Sequence, residues 1–371
     1  MLAPHRTHLM KTLFATALFC ALFPALAETI YIGTNTGGNL ESKGIYRAEF
    51  DASTGEVSEV QLAAEYPSPG FLTQHPTLPI LYASSANGTV AAFKIADDKS
   101  LELLKKIDTG GKNTCHLAID STGRTIAVSN YGSGSYATIA VGADGVPTKL
   151  ASFVQKTGKG ANPKRQGEPH AHGAYFNQAN NQVLVTDLGL DKVFIHSFNA
   201  NDSTLGEALP PIDLKPGAGP RHLDFTPDYR HLYVLNELDN TITTVVVRKD
   251  GYQTIQTVPT LPEDFEGSNT TAEIEVHSNG KFVYNSNRGH DSITVHQRDP
   301  KTGKLSLVQH APCGGVQPRH FVISPDGKWL LCGHQASSTI STLALDTETG
   351  KLGTPQNTVA APTPICILFA R

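Results

Sequence analysis

The sequence predicts an all-β chain folded as a seven-bladed β-propeller, and three observations predict it. First, one strand-turn-strand pattern recurs. Its clearest copies are PRHLDFTPDYRHLYVLNELDNTITTVVV from Pro220 and PRHFVISPDGKWLLCGHQASSTISTLAL from Pro318. Each holds an extended run, a Pro-Asp turn, a second extended run, a polar connection and a third run, which is the pattern of β-hairpins. Second, the residue heading the first run recurs at Gly70, Cys115, His172, Arg221, Ala272, Arg319 and Ile365, with separations of 45, 57, 49, 51, 47 and 46 residues. Periods of this size belong to propeller blades, and the alternating Val, Ile, Leu, Tyr and Thr exclude helical repeats. Third, the last copy is cut short. PTPICILF at Pro362 supplies one strand only, and the missing strands stand at the other end as TIYIGTN from Thr29 and KGIYRAEF from Lys43. Pairing the N-terminal strands with the C-terminal strand closes the ring and removes its free edges.

Taken in order, the chain opens on MLAPHRTHLMK, an apolar TLFATALFCALF and PALAET. Basic start, apolar centre and small-residue end read as a signal peptide over residues 1–27, cut after Ala27 and too short to span a membrane as a helix. The mature chain, 28–371, is then exported, with the periplasm as its expected location, and has no membrane attachment after cleavage. Blade one begins at PGFLTQHPTLPILYASS from Pro69, blade two at NTCHLAIDSTGRTIAVSN from Asn113 and blade three at EPHAHGAYF from Glu168. Blades four and six are the two clear copies, and TAEIEVHSNGKFVYNSNR from Thr271 is blade five. The outer strands are entered by acidic-Gly turns, DASTGEV at Asp51, DPKTGKL at Asp299 and DTETGKL at Asp346. Blades cannot bury their faces singly, so 28–371 is one domain.

A net charge of −4, with 30 Lys and Arg against 34 Asp and Glu and no basic run, gives no reason to expect a nucleic-acid partner. Cys115, Cys313, Cys332 and Cys366 remain after the leader. Export permits disulfides; a Cys332–Cys366 bridge between neighbouring blades and four buried thiols are both open. No cofactor is expected. His170 and His172, spaced HxH on a strand, share a side, yet no third ligand stands at strand spacing, so no metal site is expected.

In a propeller blade the first strand lines the channel, and the second returns antiparallel, so the start of one and the end of the other share a rim. The second set of rim positions is Asn35, Ala86, Tyr131, Leu188, Glu237, Arg288 and Gln335. Small or neutral residues fill most slots. Blades three to six depart consecutively, with His172, Arg221 and Glu237, Arg288, and Arg319. Three arginines, a glutamate and a histidine at one channel mouth make an anion site with acid/base capacity. His116, His222 and His320 follow the rim by one residue and read as packing residues, as Trp329 reads as core.

The segments GEPHAHGAYF, GAGPRHLDFTPD, YVLNELDNTI, FVYNSNRGHDSITV and QPRHFVISPDGKWLL resemble the bacterial 6-phosphogluconolactonase family of seven-bladed propellers, related to fungal carboxy-muconate lactonizing enzymes. The resemblance covers nearly the whole mature chain. It implies hydrolysis of a sugar δ-lactone, 6-phosphogluconolactone-type or unphosphorylated, to the aldonic acid, with His172, Arg221, Glu237 and Arg288 as the catalytic set. On this reading Glu237 activates water, Arg221 and Arg288 hold an anion or oxyanion, and His172 protonates the leaving alkoxide. His170, Arg319 and Gln335 are expected to contact substrate. No Ser or Cys nucleophile is required, and GxSxG is absent. Two alternatives stand beside hydrolysis: a muconate-type lactonizing lyase or cycloisomerase, and a non-enzymatic exported binding propeller. The sequence leaves the oligomeric state open.

Overall fold

The computed structural model describes residues 27–37 and 41–371. The expected leader therefore lies outside the described residues except for Ala27, which opens the first strand. Among the described residues the architecture is seven antiparallel sheets and no helix. Six are four-stranded with their strands in chain order, beginning at Pro69, Thr114, Ala171, Pro220, Thr270 and Pro318. The seventh is shared. Its innermost strand, Pro364–Phe369, pairs with Ala27–Thr34 in the register Ile30↔Phe369, Tyr31↔Leu368 and Ile32↔Ile367. Ala27–Thr34 pairs in turn with Gly44–Asp51. This is the closure that the split repeat predicts.

The innermost strands neighbour one another round the ring, with Pro364–Phe369 against Pro69–Gln74. Between blades the alternating apolar residues interdigitate. Phe282, Tyr284, Ile293 and Val295 of blade five pack on Phe321, Leu330, Cys332 and Leu343 of blade six. A repeated polar stitch joins the same faces: the Tyr82, Tyr233 and Tyr284 hydroxyls donate to the Gly145, Gly303 and Gly350 carbonyls of the next blade at 2.7, 2.7 and 2.8 Å. Trp329, expected in the core, is half-buried on the seam of blades six and seven, where Nε1–H donates to the Ala52 carbonyl at 2.9 Å.

These outer-turn glycines have φ near +75°, a conformation costly for any residue with a Cβ. A Cβ on Gly350 would also lie 2.3 Å from a ring carbon of Phe282. Gly350→Ala is expected to destabilise the fold by about 2–4 kcal/mol, the sum of backbone strain and overpacking. Denaturant unfolding checks it, and a loss under about 0.5 kcal/mol would show that the turn relaxes freely.

One local irregularity positions the site. In every blade the pairing of first and second strands shifts register at the rim. The shifts fall between Pro69 and Leu72, at Cys115, at His172, at Arg221, between Thr271 and Ile274, at Arg319 and at Ile365. A bulge breaks the strict alternation of faces and re-aims a side chain. The seven equivalent rim positions are thus a row of β-bulges.

Candidate active site

Five of these bulge positions, Gly70, Cys115, Arg221, Arg319 and Ile365, line a cavity of about 300 Å³ at the mouth of the channel. Asn35, Gln335, Asn113, His222 and Glu273 complete its polar wall. Arg319 Nη1 donates to Gln335 Oε1 at 3.5 Å and has no carboxylate partner among the described residues. Burial and the neighbouring Arg221 and Arg288 lower its pKa to about 9, so it is still a cation at neutral pH.

Beside the cavity sits a dense ion cluster. Glu237 Oε2 meets Arg221 Nε at 3.2 Å and Arg288 Nη2 at 3.0 Å, and Oε1 meets Arg165 Nη2 at 2.7 Å. Glu237 is 5% exposed and Arg221 3%. Burial pushes the Glu237 carboxyl up, but Arg288, Arg221 and Arg165 outweigh it and hold the pKa at about 2. The guanidiniums are tied to the frame as well. Arg288 Nη2 donates to the Thr271 carbonyl at 2.8 Å, and Arg221 Nη1 donates to the Ala272 carbonyl. Three arginines meet one carboxylate and Arg319 stands beside them unpaired, which leaves an excess of positive charge at the mouth.

One residue deeper, the side chains that follow the bulges form a floor. His222 Nδ1 lies 2.8 Å from Glu273 Oε1, and His320 Nε2 lies 3.5 Å from Glu273 Oε2. Phe71 stacks tilted on His116 at 4.2 Å between centroids and edge-on to His222 and His320 at 5.7 and 5.5 Å. Phe71 and Glu273 also line a second cavity, of about 540 Å³, toward the far ends of the first strands. The floor therefore divides the channel. Because the carboxylate can only accept, His222 Nδ1 carries the proton and Nε2 carries the lone pair, which faces Arg221 Nη1 at 3.3 Å. Burial, then Arg221, holds the His222 pKa well below its usual 6.5, so the ring is neutral at physiological pH.

The structure brings Arg221, Glu237 and Arg288 into one cluster and sets Arg319 with Gln335 on the adjoining cavity. His172 is buried behind the cavity wall, with Nδ1 3.9 Å from Cys115 Sγ and its ring edge-on to His222 at 5.1 Å. Burial and Arg221 lower its pKa well below 6.5. His170 and His172 both flank the Tyr131 ring, His172 edge-on at 5.5 Å, and a bulge falls at His172. His170 stacks on Tyr131 at 4.4 Å and donates from Nδ1 to the Tyr131 carbonyl at 2.9 Å. Both oxygens of Glu237 are taken by guanidiniums, its pKa is about 2, and the residues lining the cavity do not include it. Cys115 does line it, but burial raises the thiol to about 11, which removes it as a nucleophile.

Arg165, His222 and Glu273 went unremarked as site residues in the sequence. The signal for Arg165 is the 57-residue separation from Cys115 to His172, longer than the others by an inserted segment. That segment is pinned by Gln166, whose Nε2 donates to the Leu188 carbonyl and to Asp191 Oδ1 at 2.8 and 2.7 Å. The signal for Glu273 is a carboxylate one residue past the rim, in the slot where blades two, four and six carry histidine. Among the described residues, Cys313, Cys332 and His334 are the group with metal-ligand proximity, away from this cavity. The four cysteines are free, and Cys332 faces Cys313 rather than Cys366.

Comparison with known proteins gives a consistent family. The family model described as "Lactonase, 7-bladed beta-propeller" matches residues 29–369. A 6-phosphogluconolactonase of Bacillus subtilis is 34% identical over 346 residues, spanning 91% of this chain and 97% of that protein. Another from Formosa agariphila is 32% identical over 321 residues, spanning 83% and 90%. The solved structure of a periplasmic gluconolactonase of Pseudomonas aeruginosa superposes with a TM-score of 0.87 at 25% identity, covering 93% of this chain and 99% of that one.

Proposed function

The chain belongs to the seven-bladed β-propeller lactonases, and from that premise we propose that its mouth cavity hydrolyses an unphosphorylated six-membered sugar lactone to the aldonic acid. The observation that carries the proposal is one shared wall: Arg221 and Arg319 stand beside the His222–Glu273 pair on a cavity of about 300 Å³. Neutral His222 takes a proton from water through Nε2, and the water oxygen bonds to the lactone carbonyl carbon. Arg221 and Arg319 hold the oxyanion of the tetrahedral intermediate. When the bond to the ring oxygen breaks, His222 returns the proton to that oxygen, as a base turned acid does in acyl transfer. Atoms balance, and the product is the hydroxy acid. Glu273 keeps His222 in the required tautomer, Glu237 fixes the direction of Arg221 and Arg288, and His172 packs against His222 to set its plane. Gln335 orients Arg319. His170 and Arg165 line a neighbouring pocket with Tyr131.

The choice of an unphosphorylated lactone rests on the leader-like residues 1–27 and on the printed name of the Pseudomonas aeruginosa neighbour. An exported enzyme meets free sugars, whereas sugar phosphates stay inside the cell. The test is a hydrolysis panel with glucono-δ-lactone and its 6-phosphate, corrected for spontaneous opening. The expected result is a kcat/KM higher for the free lactone by about tenfold or more, the equivalent of roughly 1.4 kcal/mol. Preference for the phosphate would overturn the substrate, and inactivity on both would overturn the reaction.

A further inference from the structure

Blade six departs from the repeat a second time, at its seam with blade five. In blades two and five the last latch between neighbouring blades is made of amide and hydroxyl groups. Thr109 Oγ1 donates to Asn130 Oδ1 at 2.9 Å, and Asn287 Nδ2 donates to the Thr260 carbonyl at 3.3 Å and to Ser292 Oγ at 3.2 Å. In the same slots blade six has Cys313 and His334, and Cys332 stands two residues before the histidine on the same face of its strand. All three are buried, and their ligand atoms lie within 4.8 Å of one another.

The hydrogen bonds around His334 decide its tautomer. Ser341 Oγ donates its one proton to the Cys313 carbonyl at 2.6 Å. His334 Nε2, 2.9 Å from that oxygen, must therefore be the donor to it. Nδ1 then carries the lone pair, and it points between two sulfurs, 3.8 Å from Cys313 Sγ and 3.9 Å from Cys332 Sγ. This is how a ligating imidazole is usually held, its far N–H anchored to a second group. The spacing also fits. A cation about 2.3 Å from each sulfur and about 2.0 Å from the nitrogen, at angles near 120°, places sulfur and nitrogen about 3.7 Å apart; tetrahedral angles would bring them to about 3.5 Å.

We propose that Cys313, Cys332 and His334 bind a single Cu(I) ion in a trigonal S₂N site buried between blades five and six. Thiolate sulfur selects soft cations. Zn(II) takes four ligands in structural sites, and no fourth stands in the group among the described residues, whereas Cu(I) accepts three. Cys313 Sγ donates to the Asp291 carbonyl at 3.0 Å, and binding releases the protons of both thiols. The site stands independently of the lactonase chemistry.

The test is anaerobic titration of the reduced, metal-free full chain with Cu(I) against bicinchoninate. One equivalent is expected to bind, with a sulfur-to-copper charge-transfer band and X-ray absorption showing two sulfurs and one nitrogen. Cys332→Ser is expected to weaken binding by at least about 100-fold, and so is His334→Asn, which installs the asparagine latch that blades two and five use. The His334→Asn result keeps the test meaningful if the serine variant folds poorly. Failure of the wild type to compete with the chelator, unchanged affinity in His334→Asn, tighter binding of Zn(II), or a Cys313–Cys332 disulfide in protein taken from an oxidising compartment would each overturn the site.

Discussion

His222→Gln is expected to lower kcat/KM for glucono-δ-lactone by about 10²–10⁴-fold, the usual range for loss of a general base. Glutamine fills similar space and can still reach Glu273, so the fold should be kept and unfolding midpoints should change little. The pH profile gives a second reading. The working form of His222 is neutral, and burial with Arg221 holds its pKa well below 6.5. Activity of the wild type should therefore persist below pH 6.5, with the acid limb of kcat/KM at the depressed histidine pKa. An enzyme that loses activity as pH falls through 6.5–7 would carry its base elsewhere. Wild-type rates in His222→Gln would remove His222 from the chemistry outright.

Glu237→Gln is expected to do the opposite, acting first on stability. The carboxylate is the shared partner of Arg165, Arg221 and Arg288, and amide replacement leaves buried cations without a counter-charge. Breaking a buried pair in this way costs about 3–5 kcal/mol. The pH dependence follows from the same carboxylate. Its pKa is depressed in the folded state from 4.5 to about 2, so its stabilisation is full above 4.5 and disappears as pH falls toward 2. The stability gap between wild type and Glu237→Gln should accordingly be largest at neutral pH and close across that acid window, as followed by denaturant unfolding at several pH values. A parallel offset at every pH would show that the ionised carboxylate is not what the arginines require. A fully stable Glu237→Gln protein with no activity would restore Glu237 as the base and leave His222 as packing.

The repeat made the fold legible because blade closure depends on local rules: alternation, Pro-Asp turns and glycines in outer turns whose φ is positive. Register alone carried Arg221, Glu237, Arg288 and Arg319 to one mouth, since start of strand one and end of strand two share a rim in every blade. The same register says nothing of the layer beneath. The partner of His222, Glu273, is 51 positions away, and hydrogen bonds across blades leave no trace in a single strand. The charge of Glu237 can be read from sequence, while its counter-charges at 2.7 to 3.2 Å cannot.

The ring, its seven units, the pairing of the strand from Pro362 with that from Thr29, and which rim carries charge are all legible in the chain, because each follows from a pattern repeated along it. Which charged groups cancel, which histidine meets a buried carboxylate, and which two cysteines meet are settled by the tertiary structure. Those depend on distances between side chains from different blades, and a few tenths of an ångström there separate a buried ion cluster from a reacting base.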